Sequence, residues 1–307
     1  MKTIRTAISA AAVLALASVG ATRAQEKISL LYQPVGGFVN AYVAADEGFF
    51  TKHGVEVTFQ PTQVASNVIA VIESGQCEIG GPTMLPVLQA NEGGLDLVVL
   101  AGGAVYPLPG DGLVAATGSG IEHARDLAGK RVGVPGIGTQ LHVLALRGLE
   151  ESGVDPHSVK FVELGFLQSA DGLKSRLVDA YTSVEPFTQR IVKAGAGKLL
   201  PDWPEIPDGT TTIVYTATRK WATGHRRAVD GFRAALREAG AFAPGHRDET
   251  IKALAHYTKL PLPVVQTMPI SGAPGDLSPQ QVQFWIDLGR AQSLIKSAPD
   301  PKRILFE

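Results

Sequence analysis

The stretch Arg131–Arg147, RVGVPGIGTQLHVLALR, sets the fold class. Val132 and Val134 alternate as strand residues do, and Pro135-Gly136-Ile137-Gly138 stops the ladder. Thr139 stands where a helix N-cap belongs, ahead of Leu141, Leu144, Ala145 and Leu149 at helical spacing. A strand that feeds a helix through glycines aims free backbone N–H groups and the positive end of a helix dipole at one spot. Such a spot suits an anionic or strongly polar small ligand. Gly136 and Gly138 do not complete a dinucleotide fingerprint, because Leu141 occupies the place of its third glycine. Strand-glycine-helix turns also occur with nothing bound, so the flanking chain has to decide.

Working outward, the pattern repeats on both sides. Lys27–Leu31 reads as a strand, Gln33–Asn40 as a glycine-bearing loop and Ala41–Glu47 as a helix ended by Gly48. Strands at Val55–Phe59, Glu78–Gly80 and Leu95–Leu100 alternate with helices at Ser66–Ser74 and Thr83–Asn91. The segment from Gly102 to Gly112, rich in glycine and proline with Tyr106 at its middle, marks a crossing. A second series follows: strands at Leu113–Thr117, Arg131–Pro135, Lys160–Leu164 and Ala180–Ser183, with helices after the glycine turn and at Ala170–Leu177. Pro201–Gly209 reads as the return crossing, Thr211–Thr218 as a β-rich run, and amphipathic helices finish the chain. Alternation of this kind predicts an α/β fold with a largely parallel sheet. Two crossings around a self-similar block predict two lobes, residues 25–110 with 211–307 and residues 111–210, facing one another across a cleft.

The N-terminus reads as a secretory signal, residues 1–24: Lys2 and Arg5, then an uncharged run Thr6–Thr22, then Thr22-Arg23-Ala24 with small residues at the cleavage positions. The apolar run is short for a membrane-spanning helix, and no cysteine stands at the cleavage point to carry a lipid. A periplasmic protein starting at Gln25 is expected, without stable membrane insertion. Cleavage takes the formal charge from −1 to −4 by removing Lys2, Arg5 and Arg23, which leaves no basic footprint for nucleic acid. Cys77 is the only cysteine, which excludes an intrachain disulfide, and it reads as a small buried residue.

Enzyme motifs are missing from the sequence: there is no Gly-x-Ser-x-Gly elbow, no His-Glu-x-x-His, no phosphate loop and no cysteine pair. His53, His123, His142, His157, His225, His246 and His256 lack metal-ligand spacing and read as surface or capping residues. No enzymatic activity, cofactor or metal is expected.

At Ala41–Val57, AYVAADEGFFTKHGVEV, the chain resembles the periplasmic substrate-binding proteins of ABC importers in the nitrate, sulfonate and taurine group, which includes the NMT1/THI5-like binders of thiamine-pyrimidine precursors. The similarity continues through Glu73–Gly80, through Asp126–Val134 and from Val178-Asp179-Ala180 to Glu185-Pro186-Phe187. The resemblance implies a type II periplasmic binding protein, two α/β lobes joined by two crossover segments that close on a solute, with an ABC permease of the inner membrane as partner and a monomeric state. It implies ligand contacts from the first lobe at Gly36, Gly37, Phe38, Asn40, Gly81, Pro82 and Thr83, from the crossing at Tyr106, and from the second lobe at Gly136, Gly138, Thr139, Gln140, Ser183 and Glu185. Asn40 has a second available role as N-cap, Phe38 as a loop closure, and Glu185 as partner of an arginine. Since these loops hold no lysine or arginine, an oxyanion would rest on backbone amides and the hydroxyls of Thr83, Thr139 and Ser183. Phe38, Tyr106, Tyr32 and Phe187 favour a planar aromatic or heterocyclic solute. An organic anion or an aromatic compound is expected ahead of nitrate. The rival readings are a sensor's ectodomain partner and an enzyme on the same fold; the related pyrimidine-synthesising enzymes carry a cysteine-rich motif that Cys77 alone does not supply.

Overall fold

The computed structural model describes residues 24–106, 110–268, 270 and 277–307. The expected signal segment lies, up to residue 23, outside the described residues. Among the described residues ten strands form two sheets: β1 (Glu26–Tyr32), β2 (Val55–Pro61), β3 (Ile79–Gly80), β4 (Leu97–Gly102), β5 (Gly112–Ala116), β6 (Arg131–Val134), β7 (Lys160–Glu163), β8 (Ala180–Ser183), β9 (Gly197–Leu199) and β10 (Val214–Thr218). The first sheet has the order β2-β1-β3-β10-β4 and the second β7-β6-β8-β5-β9. Each is flanked by helices, so the chain forms two α/β lobes.

The expectation of a largely parallel sheet holds for four of the five strands in each sheet, and one reversed strand in each makes both sheets mixed. The βα units pair in parallel, β1 with β2 and β3, and β6 with β7 and β8. β10 runs antiparallel between β3 and β4, and β5 runs antiparallel between β8 and β9. A parallel partner needs a long crossover, usually a helix, to bring the chain back to the same end. β5 and β10 instead enter straight from the crossings, so the crossings set their direction. β9 has only three residues, too few to show a period in the sequence, and it was not foreseen.

The two crossings lie side by side. Val105 and Thr211 form an antiparallel bridge. Around it Gly103 N donates to Ile213 O at 2.8 Å, Thr212 N to Ala104 O at 2.9 Å, Tyr106 N to Thr210 O at 2.9 Å and Gly209 N to Tyr106 O at 2.8 Å. Paired backbone of this kind is a ribbon about which two lobes can rotate.

An aromatic cluster fills the first lobe beneath the cleft. Tyr42 stacks on Tyr257 with centroids 4.7 Å apart, and its hydroxyl donates to Gln33 O and Val35 O at 3.2 and 3.0 Å. Phe38 is fully buried there, edge-on to Tyr215 and Tyr32. Gly81 makes room for it, since a Cβ at that position would lie 2.2 Å from the Phe38 ring. In the second lobe Phe166 stacks on Phe187 at 5.1 Å. Cys77 is buried, with its thiol donating to Ser29 O at 2.9 Å and Ile79 O at 3.0 Å.

Because Phe38 belongs to this core, Phe38→Ala should lower the unfolding free energy by about 3–5 kcal/mol. Urea denaturation of the variant measures it; a loss under about 1 kcal/mol would mean that the neighbouring rings do not depend on Phe38.

Candidate functional site

The glycine turn after β6 forms as the sequence predicts. Thr139 is the N-cap of helix Gln140–Glu151, in extended conformation at φ −78° and ψ 170°. Its hydroxyl does not cap the helix, however, and donates to Gly136 O at 2.7 Å instead. The N–H groups of this turn find acceptors within the protein. Ile137 N donates to Glu163 Oε1 at 2.7 Å, Gly138 N to His142 Nδ1 at 3.1 Å, Thr139 N to Gly136 O at 3.3 Å and Gln140 N to Thr83 Oγ1 at 3.1 Å. Four of the amides expected to cradle an anion are therefore engaged internally.

His142 is buried rather than a surface histidine, and it packs edge-on against Phe161 at 4.5 Å. Burial pushes its pKa down to about 4 against the opposing pull of Glu163. It is thus neutral, and its Nδ1 accepts from the turn.

The lobes touch at the ends of their strands. Gly36 N donates to Glu185 O at 3.1 Å, Ala65 N to Pro135 O at 3.2 Å, and Gln140 N to Thr83 Oγ1. These contacts border a partly open cavity of about 60 Å³, well above the room one ordered water needs. Six of the fourteen sequence-predicted residues line it: Gly36, Gly37, Thr83, Thr139, Gln140 and Glu185.

The other eight lie elsewhere. Phe38 is in the aromatic core, and Gly81 backs onto its ring. Pro82 O accepts from Val214 N at 2.9 Å within the first sheet. Asn40 is not an N-cap, because the helix starts at Val39; its Oδ1 accepts from Ala41 N and from the Tyr215 hydroxyl, both at 2.9 Å. Asn40 borders a different cavity of about 240 Å³, shared with Leu100, Arg233 and Phe306. Gly136 lies against the Ser66 backbone. Gly138 takes φ +77° beside Gln89 of the first lobe. Ser183 Oγ is buried with no hydrogen-bond partner among the described residues. Tyr106 stands one layer behind the wall, its hydroxyl accepting from Gln140 Nε2 at 2.9 Å and donating to Asp111 Oδ2 at 3.3 Å.

Asp111 is the wall residue that matters most among those not foreseen. It sits at the end of the first crossing, one residue before Gly112, which pairs in register with Ser183. That placement beside the β8 end could have been read from the sequence, where only Tyr106 was taken from the crossing. Gln33, Thr212, Phe166, Val184, Ile213 and Met268 also line the cavity.

Burial pushes the Asp111 carboxyl well above the usual carboxylate range; Glu185 raises it further, and the Tyr106 hydroxyl opposes both. Burial likewise raises Glu185, opposed by Gln189 N and by Lys193.

Residues 36–250 match the family model described as NMT1/THI5 like. The chain belongs to the NMT1/THI5-like family. It is similar to the 4-amino-5-hydroxymethyl-2-methylpyrimidine phosphate synthase of Schizosaccharomyces pombe, 32% identical over 95 residues that cover 31% of this chain and 27% of that one. The synthase of the same name from Legionella pneumophila is 27% identical over 137 residues, covering 45% of this chain and 42% of that one. The match thus spans less than half the length of these relatives. Both are enzymes by name, which corrects the expectation that an enzymatic role could be set aside. Among solved structures, the alkanesulfonate-binding protein SsuA from Xanthomonas axonopodis pv. citri bound to MOPS superposes with a TM-score of 0.79 at 21% identity, over 92% of this chain and 99% of that one. At that identity the likeness is one of fold, the two-lobed periplasmic binding protein. No helix among the described residues of this NMT1/THI5-like protein is long and apolar enough to cross a membrane.

The raised carboxyls fix a pH dependence. A group with a raised folded pKa contributes its stability fully below its unfolded pKa and loses it as pH rises through the folded value. The stability difference between Asp111→Asn and the wild type should therefore shift in favour of the variant as pH rises from about 4 toward neutrality. Denaturant midpoints of both proteins across that range measure it; a pH-independent difference would mean that Asp111 titrates normally.

Proposed function

We propose that this NMT1/THI5-like protein captures a small organic solute between its lobes and delivers it to an ABC permease. The observation that carries the proposal is the cavity at the strand ends, walled by both lobes and bordered by direct hydrogen bonds between them. Solute that bridges the two walls stabilises the closed form, and that form differs in shape from the open one a permease must distinguish. The fold shared with periplasmic binding proteins supports export to the periplasm, where the protein acts as a monomer. Residues 25–110 with 211–307 move as one body and residues 111–210 as the other, about the paired crossings.

A second reading, chemistry on a pyrimidine held in the same cleft, is favoured by the likeness to the two synthases. The two readings differ in what leaves the cleft. Mass spectrometry of solute recovered after incubation finds it unchanged in the first case and converted in the second.

Small-angle scattering with and without a saturating solute tests lobe closure, and identical profiles would refute it. Thr83→Val removes the acceptor for Gln140 N across the cleft. That hydrogen bond contributes about 0.5–1.5 kcal/mol to the closed form, so apparent solute affinity should fall roughly 2- to 12-fold. Calorimetric titration reads the change, and an unaltered affinity would remove Thr83 from the closure.

A further inference from the structure

The polar inventory of the cleft is lopsided. Two carboxyls, Asp111 and Glu185, line the cavity, while no lysine, arginine or histidine does. The positive charge felt by Glu185 is Lys193, which lies exposed at the far end of helix Phe187–Lys193. Several hydroxyl and amide donors of the wall are also engaged. Thr139 Oγ1 donates to Gly136 O, Thr212 Oγ1 to Ala104 O at 3.3 Å, and Gln140 Nε2 to the Tyr106 hydroxyl. The charge on this wall is therefore carried by the two carboxyls alone.

The two carboxyls are fixed as neighbours. The Glu185 side chain lies against Gly110, where an added Cβ would come within 2.4 Å of Oε1 and where φ is +83°, so the first crossing runs directly past this carboxylate into Asp111. Thr188 Oγ1 donates to Gly110 O at 2.7 Å and holds the two segments together. Glu185 Oε2 accepts from Gln189 N at 3.2 Å, and Asp111 Oδ2 accepts from Tyr106. Glu185 Oε1 and Asp111 Oδ1 carry no hydrogen bond among the described residues. Beside them Ser183 Oγ, fully buried and paired in register next to Asp111, is an unpartnered polar group at the same strand end.

We infer that the cleft selects a small organic cation, an amine or amidine with at least two N–H donors, held jointly by Asp111 and Glu185. The inference rests on the solute-capture reading and deepens it by naming the charge class. Charge-assisted hydrogen bonds from one cation to both carboxylates are short and strong. They also remove the repulsion that two neighbouring buried carboxylates otherwise relieve by keeping a proton. An anion in the same place would meet two like charges with no basic residue to offset them. The apolar wall of Val35, Phe166, Val184, Ile213 and Met268 suits a carbon skeleton attached to the cationic group.

The test compares matched probes on the purified chain by thermal shift and calorimetric titration: propylammonium, acetamidinium and benzamidinium against butyrate, acetate, benzoate and propanesulfonate. The expected result is a raised midpoint with one or more cations and none with the anions. Affinity for the responding cation should drop at least tenfold in Asp111→Asn and in Glu185→Gln. Should either variant fail to fold, the wild-type comparison of cations with anions still decides. A response to anions alone overturns the charge class and leaves solute capture standing. Silence from both series overturns both. Cation binding that survives unchanged in both folded variants overturns the assignment of the two carboxyls.

Discussion

One chain of hydrogen bonds joins the two lobes and the crossing between them. Thr83 of the first lobe accepts from the Gln140 amide of the second, Gln140 Nε2 donates to Tyr106 in the crossing, and Tyr106 donates to Asp111 at the entrance to the second sheet. Each link is weak taken alone, since a protein hydrogen bond mostly replaces one to water. Their placement matters more than their sum. The first link crosses between the lobes, and the other two tie the turn and Asp111 to the crossing.

Stability and recognition use different residues, although the sequence sets them side by side. In Gly36-Gly37-Phe38-Val39-Asn40 the two glycines face the cavity, while Phe38 and Asn40 turn back into the first lobe. The reason is geometric. Gly81 lets the Phe38 ring lie flat against the strand end, and Tyr215 takes up Asn40 by its hydroxyl. The backbone left at the surface is small and close to the facing lobe, where Gly36 N reaches Glu185 O. A bulky aromatic core thus supports a wall made largely of backbone and short side chains.

Much of the architecture could be read from the chain because it depends on local signals. The β6 turn, its N-cap Thr139 and the alternation of strands with helices follow from hydrophobic period and glycine placement. The mixed character of the sheets could not be read this way, because strand direction at β5 and β10 is set by crossings whose paths are tertiary. The site was half legible for a related reason. Sequence shows which residues lie at strand ends but not which way each one faces, and Phe38, Asn40 and Ser183 face inward. The partners of the glycine turn were equally hidden from the sequence. Glu163 and His142, more than twenty residues and four residues away from the groups they accept from, satisfy that turn from inside.

That internal satisfaction bears on how one fold comes to serve different solutes. A helix N-terminus at a cleft offers positive potential by default. A chain can spend it on a bound anion or on its own acceptors, and here Glu163 Oε1, His142 Nδ1 and Thr83 Oγ1 take it up. What faces the cavity is then decided by side chains brought in from elsewhere, and the crossing supplies Asp111 while the β8 end supplies Glu185. Neither position is part of the secondary structure that defines the fold, so either can change without disturbing the sheets. The charge of the cleft is therefore free to differ between proteins that superpose over nearly their whole length.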